Sequence, residues 1–260
     1  MPTLLLSSRG TVDSIQLRHA AIALGWSVDR LLEVEQINTY IGKSSIATFG
    51  EAVFARVVAK ALRLHLLQPP LNWITQLPAS YLQRRLTYTT LAEAWKQTVP
   101  SFIKPAGEKS FAAKIHATGT ELAYESVLSE ATPVFVVEPV KWEIEFRCFV
   151  LEGKPTAISV YKRNGELARD DSGNWNASDI ELRQTEEFCI KVLSDMRGTS
   201  PPAFVLDIGV IENVGWAVIE TNPAWASGIY GCNPFNILPV LQRSCRSNIA
   251  LAPKDKQWVL

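Results

Sequence analysis

The segment from Phe204 to Thr221 constrains the fold of this chain more than any other. An almost wholly apolar run, Phe204 to Ile211, is followed by Glu212-Asn213-Val214-Gly215 and then by a second apolar run, Trp216 to Thr221. Two short runs of this kind around a turn that holds Asn and Gly read as an antiparallel hairpin. The pattern occurs upstream as well, where Glu143 to Leu151 and Thr156 to Lys162 flank Glu152-Gly153-Lys154-Pro155, and Thr185 to Met196 reads as a helix between the two hairpins.

The rest of the chain mixes strands and helices without strict alternation, which gives an α+β class. Thr3 to Ser7 reads as a strand, Val12 to Gly25 as a helix, and Phe49 to Leu67 as a second helix with Val53, Val57, Ala61 and Leu64 on one stripe. That helix is expected to stop before Pro69-Pro70. The prolines through Pro78 mark a boundary between a small α/β domain, residues 1–78, and a larger one, residues 79–260. Within the larger one, Thr90 to Thr98 reads as a short helix, and Val99 to Lys104 and Val134 to Val137 read as strands.

With 260 residues and 47% hydrophobic content, the chain can bury one large core or two smaller ones. Twenty-six basic residues balance twenty-six acidic ones, so neither nucleic acid nor an anionic membrane is an expected partner, and any phosphate binding must be local. No apolar run reaches membrane-spanning length, and MPTLLLSSRG lacks the layout of a secretory signal. Cys148, Cys189, Cys232 and Cys245 show no paired spacing, which argues against a zinc knuckle or a disulfide framework and favours a reducing cytoplasm. His19, His65 and His116 show no ligand spacing either.

Asp207 is the one charge in its apolar strand, and Glu220 and Asn222 share a face of the partner strand. A turn symmetric about Asn213 and Val214 sets Asp207 opposite Glu220, whereas an odd residue count sets the two on opposite faces. Opposed carboxylates need a proton or a cation between them, and an oxygen-only set of Asp, Glu and Asn suits magnesium. The alternative is a turn-capping Asp207 and a solvated Glu220. Lys104 ends an apolar strand and leads into Ala-Gly-Glu-Lys-Ser, so Lys104, Gly107, Lys109 and Ser110 form either a local phosphate loop or an ordinary solvated turn. Glu143, Glu145 and Arg147 share one face of their strand, which is solvent surface unless Arg147 meets a phosphate.

Taken in order, FIKP with its loop, VVEP at Val136 to Pro139, EFRCFV at Glu145 to Val150, VLDIGV at Val205 to Val210 and VIETNP at Val218 to Pro223 resemble the ATP-grasp superfamily over roughly residues 80–235. The likeness is nearest to a small clade of ATP-grasp domain proteins. It implies two α+β subdomains, 79–137 and 138–260, sandwiching ATP. Lys104 and the loop with Gly107, Lys109 and Ser110 would hold the phosphates, and Glu138 with Val140 would meet the adenine. Arg147 would neutralise the transferred phosphoryl group, with Glu145 beside it or toward the ribose, and Asp207, Glu220 and Asn222 would hold Mg2+. The implied activity is an ADP-forming ligase that turns a small-molecule or peptide carboxylate into an acyl phosphate and joins it to an amine or thiol. A small-molecule kinase and a non-catalytic nucleotide-binding module are the alternatives. Arg84, Arg85 and Lys96 compete for a further phosphate contact. Trp225 to Gly231 is either a substrate rim using Ser227 and Tyr230 or a loop with buried aromatics.

Overall fold

The computed structural model describes residues 1–107, 110–123 and 128–260. The N-terminal part runs β1 (Thr3–Leu6), α1 (Val12–Ala23), β2 (Ser27–Arg30), β3 (Ile46–Phe49), α2 (Ala52–Leu62) and β4 (Leu64–Leu66). There follow α3 (Ala79–Leu82), β5 (Leu86–Thr90), α4 (Leu91–Ala94), β6 (Ser101–Pro105), β7 (Lys114–His116), α5 (Gly119–Ala123) and β8 (Pro133–Val137). The C-terminal part holds β9 (Trp142–Leu151), β10 (Lys154–Arg163), β11 (Glu166–Leu167), α6 (Asp179–Asp195), β12 (Ala203–Ile211), β13 (Gly215–Asn222), α7 (Pro234–Ser244) and β14 (Cys245–Ser247).

Two compact units result, one of residues 1–69, 144–208 and 219–260, the other of residues 70–143 and 209–218. This division departs from the boundary expected at residue 78. Residues 1–69 join the later strands because α7 packs on β3 and α1, and because β4 pairs antiparallel with β14. One apolar cluster then joins Leu4, Leu17 and Phe49 to Phe149, Val205 and Leu241. Such a shared core resists subdivision, since burial of apolar surface is worth about 25 cal/mol per Å² and is lost when the elements part.

In the first unit, β2, β1 and β3 form a parallel sheet in that order. Every residue of β1 is buried, as a parallel strand covered on both faces requires. Helix α2 ends at Leu62 rather than Leu67, because Arg63 takes a left-handed φ of 53° and Leu64 to Leu66 pair with β14 instead. Its buried face is Ala55, Val58 and Ala59, not the expected stripe, so Val53 and Val57 are 67% and 39% exposed. A second sheet has the order β11-β10-β9-β12-β13. Its β9–β10 turn is Glu152-Gly153 with φ of 48° and 76°, the paired positive values that match strand twist. Helix α6 begins at Asp179 rather than Thr185, because Ser178 and Glu181 form a reciprocal capping box ahead of it.

The second unit holds an antiparallel sheet of order β5-β8-β6-β7. Leu91, Ala94, Ile103, Leu122 and Val134 make its core. The helix expected from Thr90 is the short α4, started by the Thr90 side chain accepting the Glu93 N–H.

Candidate functional site

Three adjacent strands, β9, β12 and β13, bring Arg147, Asp207, Glu220 and Asn222 of the first unit together. Arg147 forks onto Asp207, with Nε donating to Oδ1 at 3.0 Å and Nη2 to Oδ2 at 2.7 Å. Both are buried, at 6% and 0% exposure. A bidentate guanidinium–carboxylate pair of this kind fixes both side chains in one plane. The remaining Arg147 nitrogen, Nη1, donates to the Gly228 carbonyl at 2.8 Å, and the guanidinium lies 4.8 Å from the Tyr230 ring centroid and 5.5 Å from that of Tyr161.

Asn222 Nδ2 lies 3.3 Å from Asp207 Oδ2 and 3.0 Å from Glu220 Oε1, so the amide donates into both acids. The turn between β12 and β13 has three residues, Glu212 to Val214, an odd count that in a regular ladder would part these side chains. Positive φ at Asn213, 59°, and at Gly215, 118°, absorbs the extra residue, as a bulged turn does.

Burial pushes the Asp207 carboxyl up, with Arg147 pulling it back down and Glu220 and Glu145 adding repulsion. Burial would likewise depress the Arg147 guanidinium, but its charge and hydrogen bonds to Asp207 outweigh that and raise it, so it stays protonated. Glu145 sits apart from this fork. Its Oε2 accepts the Tyr161 hydroxyl at 2.6 Å, and Lys162 Nζ lies 3.9 Å from its Oε1. Burial, then Asp207, Glu145 and Glu220, raise the Tyr161 phenol well above its usual value and keep it a donor.

The other expected residues belong to the second unit. Lys104 on β6 lies in register with Phe135, its Nζ 5.7 Å from that ring centroid. Gly107 and Ser110 are exposed, Val140 is half-buried, and Lys109 lies outside the described residues. Glu138 clasps Arg85, its carboxylate accepting the Arg85 N–H at 3.1 Å and its own N–H donating to the Arg85 carbonyl at 2.9 Å. Each competing upstream cation has a partner. Arg84 Nη1 donates to the Leu82 and Val218 carbonyls and its guanidinium stacks over Trp142. Arg85 Nε lies 3.7 Å from Glu138, and Lys96 Nζ 2.6 Å from Glu93.

Trp225 is buried, with Nε1 donating to the Leu67 carbonyl at 3.1 Å, and Ser227 donates to the Pro223 carbonyl at 2.7 Å. Tyr230 faces Arg147 and stacks on Tyr161 at 5.1 Å. Two residues of this neighbourhood escaped the sequence reasoning. Asp13 carried only the signal of an acid in a first helical turn, and Tyr161 carried none, because a register shift of β10 lies between Val160 and Lys162.

Among the described residues no group of three or more His, Cys, Asp or Glu is placed to hold a metal ion. The convergent donors are two carboxylates and one amide, all with oxygen atoms to offer, which fits a hard divalent cation such as magnesium.

A family model described as an ATP-grasp domain, the second family of its clade, matches residues 81–240. No curated protein matches the sequence. Among solved structures, the D-alanine–D-alanine ligase from Bacillus anthracis complexed with ATP is similar at 15% identity and a TM-score of 0.54, covering 94% of this chain and 96% of that one. The L-amino acid ligase from Bacillus licheniformis is similar at 13% identity and 0.56, over 96% of this chain and 76% of that one. N5-carboxyaminoimidazole ribonucleotide synthetase from Thermotoga maritima is similar at 9% identity and 0.59, over 94% and 76%. At these identities the likeness is one of fold. Because the family match spans more than half of the chain, the protein belongs to this family of ATP-grasp domains.

Proposed function

We propose that this protein is an ATP-dependent ligase that activates a carboxylate as an acyl phosphate and joins it to an amine or thiol, releasing ADP and phosphate. The observation that carries the proposal is the convergence of Arg147, Asp207, Glu220 and Asn222 on adjacent strands of one sheet. Family membership and three structural neighbours that are ligases or synthetases point the same way.

The chemistry is a problem of charge. A carboxylate oxygen attacks the γ-phosphorus as the bond to the β-phosphate oxygen breaks, and ADP leaves with the electron pair. Two anions meet in this step, so cations must offset them. Arg147 is the chain's own cation for that purpose, held in one orientation by Asp207 and the Gly228 carbonyl and kept charged by its partner. Asp207, Glu220 and Asn222 would hold magnesium, which when bound supplies further neutralisation of phosphate charge. Lys104, Gly107, Lys109 and Ser110 would serve the phosphates and Glu138 with Val140 the adenine, while Glu145, pinned by Tyr161, would face the ribose. In the second half-reaction the nucleophile forms a bond to the acyl carbon, the carbon–oxygen bond to phosphate breaks, and the nucleophile's proton passes to solvent.

A cytoplasmic location accords with four free, buried cysteines, and no helix among the described residues is long and apolar enough to cross a membrane. Titration calorimetry of ATP with and without magnesium tests the proposal. Tighter binding with magnesium is expected, together with ADP release when carboxylate and amine mixtures are supplied. Binding that ignores magnesium would overturn it.

A further inference from the structure

We infer that a cavity in the first unit, lined by α1, residues 169–176 and residues 230–235, receives the nucleophile substrate, and that this substrate is a free α-amino acid whose ammonium is held by Asp13 and whose carboxylate is held by Arg169. The inference rests on the ligase proposal for the fate of the amine, but not for its binding.

The cavity measures about 830 Å³, within the range of small-molecule sites. A second cavity of about 680 Å³, between α6, the β9–β10 turn and residues 254–258, is lined by none of the grouped residues. The lining of the first holds one acid, Asp13, and one permanent cation, Arg169. A single opposed pair suits a zwitterion, and it suits a polyanion or a dicarboxylate badly, because each would bring a second anion against Asp13.

Asp13 is half-buried in the first turn of α1. Its Oδ2 accepts the Ile229 N–H at 2.8 Å, which fixes the carboxylate, and Oδ1 is left to an incoming donor. Burial raises the group while Ile229, Arg147 and Arg169 draw it down, so Arg169 and Arg147 both act on this one acid. Arg169 spends Nε on the Gly173 carbonyl at 3.1 Å. Its two terminal nitrogens remain for a carboxylate.

The wall between this cavity and the Arg147 fork is three residues thick. Gly228 accepts from Arg147, Ile229 donates to Asp13, and Tyr230, with φ of 48°, lines the cavity while its ring lies under Arg147. A side chain at Gly231 would put Cβ 2.5 Å from Trp175 Cβ and 2.6 Å from Ser159 Oγ, so only glycine lets Trp175 close this wall. An ammonium on Asp13 therefore sits at the end of the cavity nearest Arg147. Ala20, Ala23, Trp175 and Phe235 offer apolar surface to the amino acid's side chain.

The test uses the full chain without nucleotide and a panel of the common free α-amino acids, each compared by calorimetry with its N-acetyl and carboxamide derivatives. At least one free amino acid is expected to bind, its N-acetyl form at least tenfold more weakly. Asp13→Asn keeps an acceptor for Ile229 and should weaken that ligand tenfold or more, with an unchanged melt. Arg169→Gln should weaken the free acid while leaving the carboxamide unaffected. Equal binding of free and N-acetyl forms, or of wild type and Asp13→Asn, overturns the inference, as does a panel with no ligand at all. Should Asp13→Asn not fold, Arg169→Gln and the N-acetyl comparison decide alone. Magnesium-dependent ATP binding is measured on the same samples. Its presence beside a failed panel overturns only the cavity assignment, whereas its absence beside a bound amino acid overturns only the ligase proposal.

Discussion

The two units treat their charged residues in opposite ways. In the first, Arg147 and Asp207 are withdrawn from water and satisfy each other, with Asn222, Gly228, Tyr161 and Tyr230 fixing the surroundings. In the second, Lys104 is half-exposed beside Phe135, and Gly107 and Ser110 lie open to solvent. A buried pair is organised before any ligand arrives, and its desolvation cost has already been met in folding. Residues nearer the surface retain more side-chain entropy and surrender it on binding. The first arrangement sets geometry, and the second supplies charge to a ligand whose position is set elsewhere.

The comparison breaks most visibly at Arg147. Arg147→Ala leaves Asp207 buried without its cation and should cost ~3–5 kcal/mol in chemical denaturation, as well as magnesium-dependent ATP affinity. A paired Arg147→Met, Asp207→Leu variant should regain most of that stability, since neutral apolar groups remove both desolvation terms, yet regain no affinity. A loss of under ~1 kcal/mol in Arg147→Ala would mean that the pair is wet and the contrast between the units false. These residues thus carry structure as well as a ligand role, so replacing them is not neutral for folding.

That dual role is where the sequence stopped being informative. The alternation around Arg147 and the lone charge of Asp207 in an apolar run were legible, because both are local. Their pairing depends on β9 lying beside β12, a contact between residues 60 apart in the chain that no period encodes. The parity of the Glu212–Val214 turn also misleads, since backbone at Asn213 and Gly215 rather than residue count decides which face Glu220 takes. On α2 two stripes fit a helical period equally well, and the small residues Ala55 and Ala59 won the buried face because they allow close approach to Leu66, Trp225 and Cys245. The grouping of residues 1–69 with the later strands rests on α7 and β14, whose partners lie far upstream.

Lys104 and Glu220 sharpen the comparison at middle scale. Lys104→Ala should shift stability by under ~0.5 kcal/mol, as surface substitutions do, and weaken ATP about tenfold, ~1.4 kcal/mol. Glu220→Gln removes a charge that repels Asp207, so the melt should hold or rise slightly while the magnesium dependence of ATP binding falls about tenfold. A lysine variant that unfolds, or a Glu220→Gln protein with undiminished magnesium dependence, would assign these side chains to the fold instead.

The smallest effect comes from an exposed ion pair in the same unit as the buried one. Arg163 forks onto Glu181 at 2.8 and 2.9 Å, but the two side chains keep 40% and 30% of their surface in water. The Arg163 hydrogen bond, with the Ser178 N–H and hydroxyl, holds the Glu181 carboxyl down to about 2 from its ordinary 4.5. A folded value below the unfolded one means stability that is complete above pH 4.5 and fades as pH falls toward 2. Solvent screening keeps the contribution under ~1 kcal/mol, and salt reduces it further. Glu181→Gln should therefore lower the melting temperature by a few degrees at most near neutrality, and the difference from wild type should vanish as pH approaches 2. If the difference instead persists at low pH, the capping of α6 by Ser178 and Glu181, rather than charge, is what the exposed pair contributes.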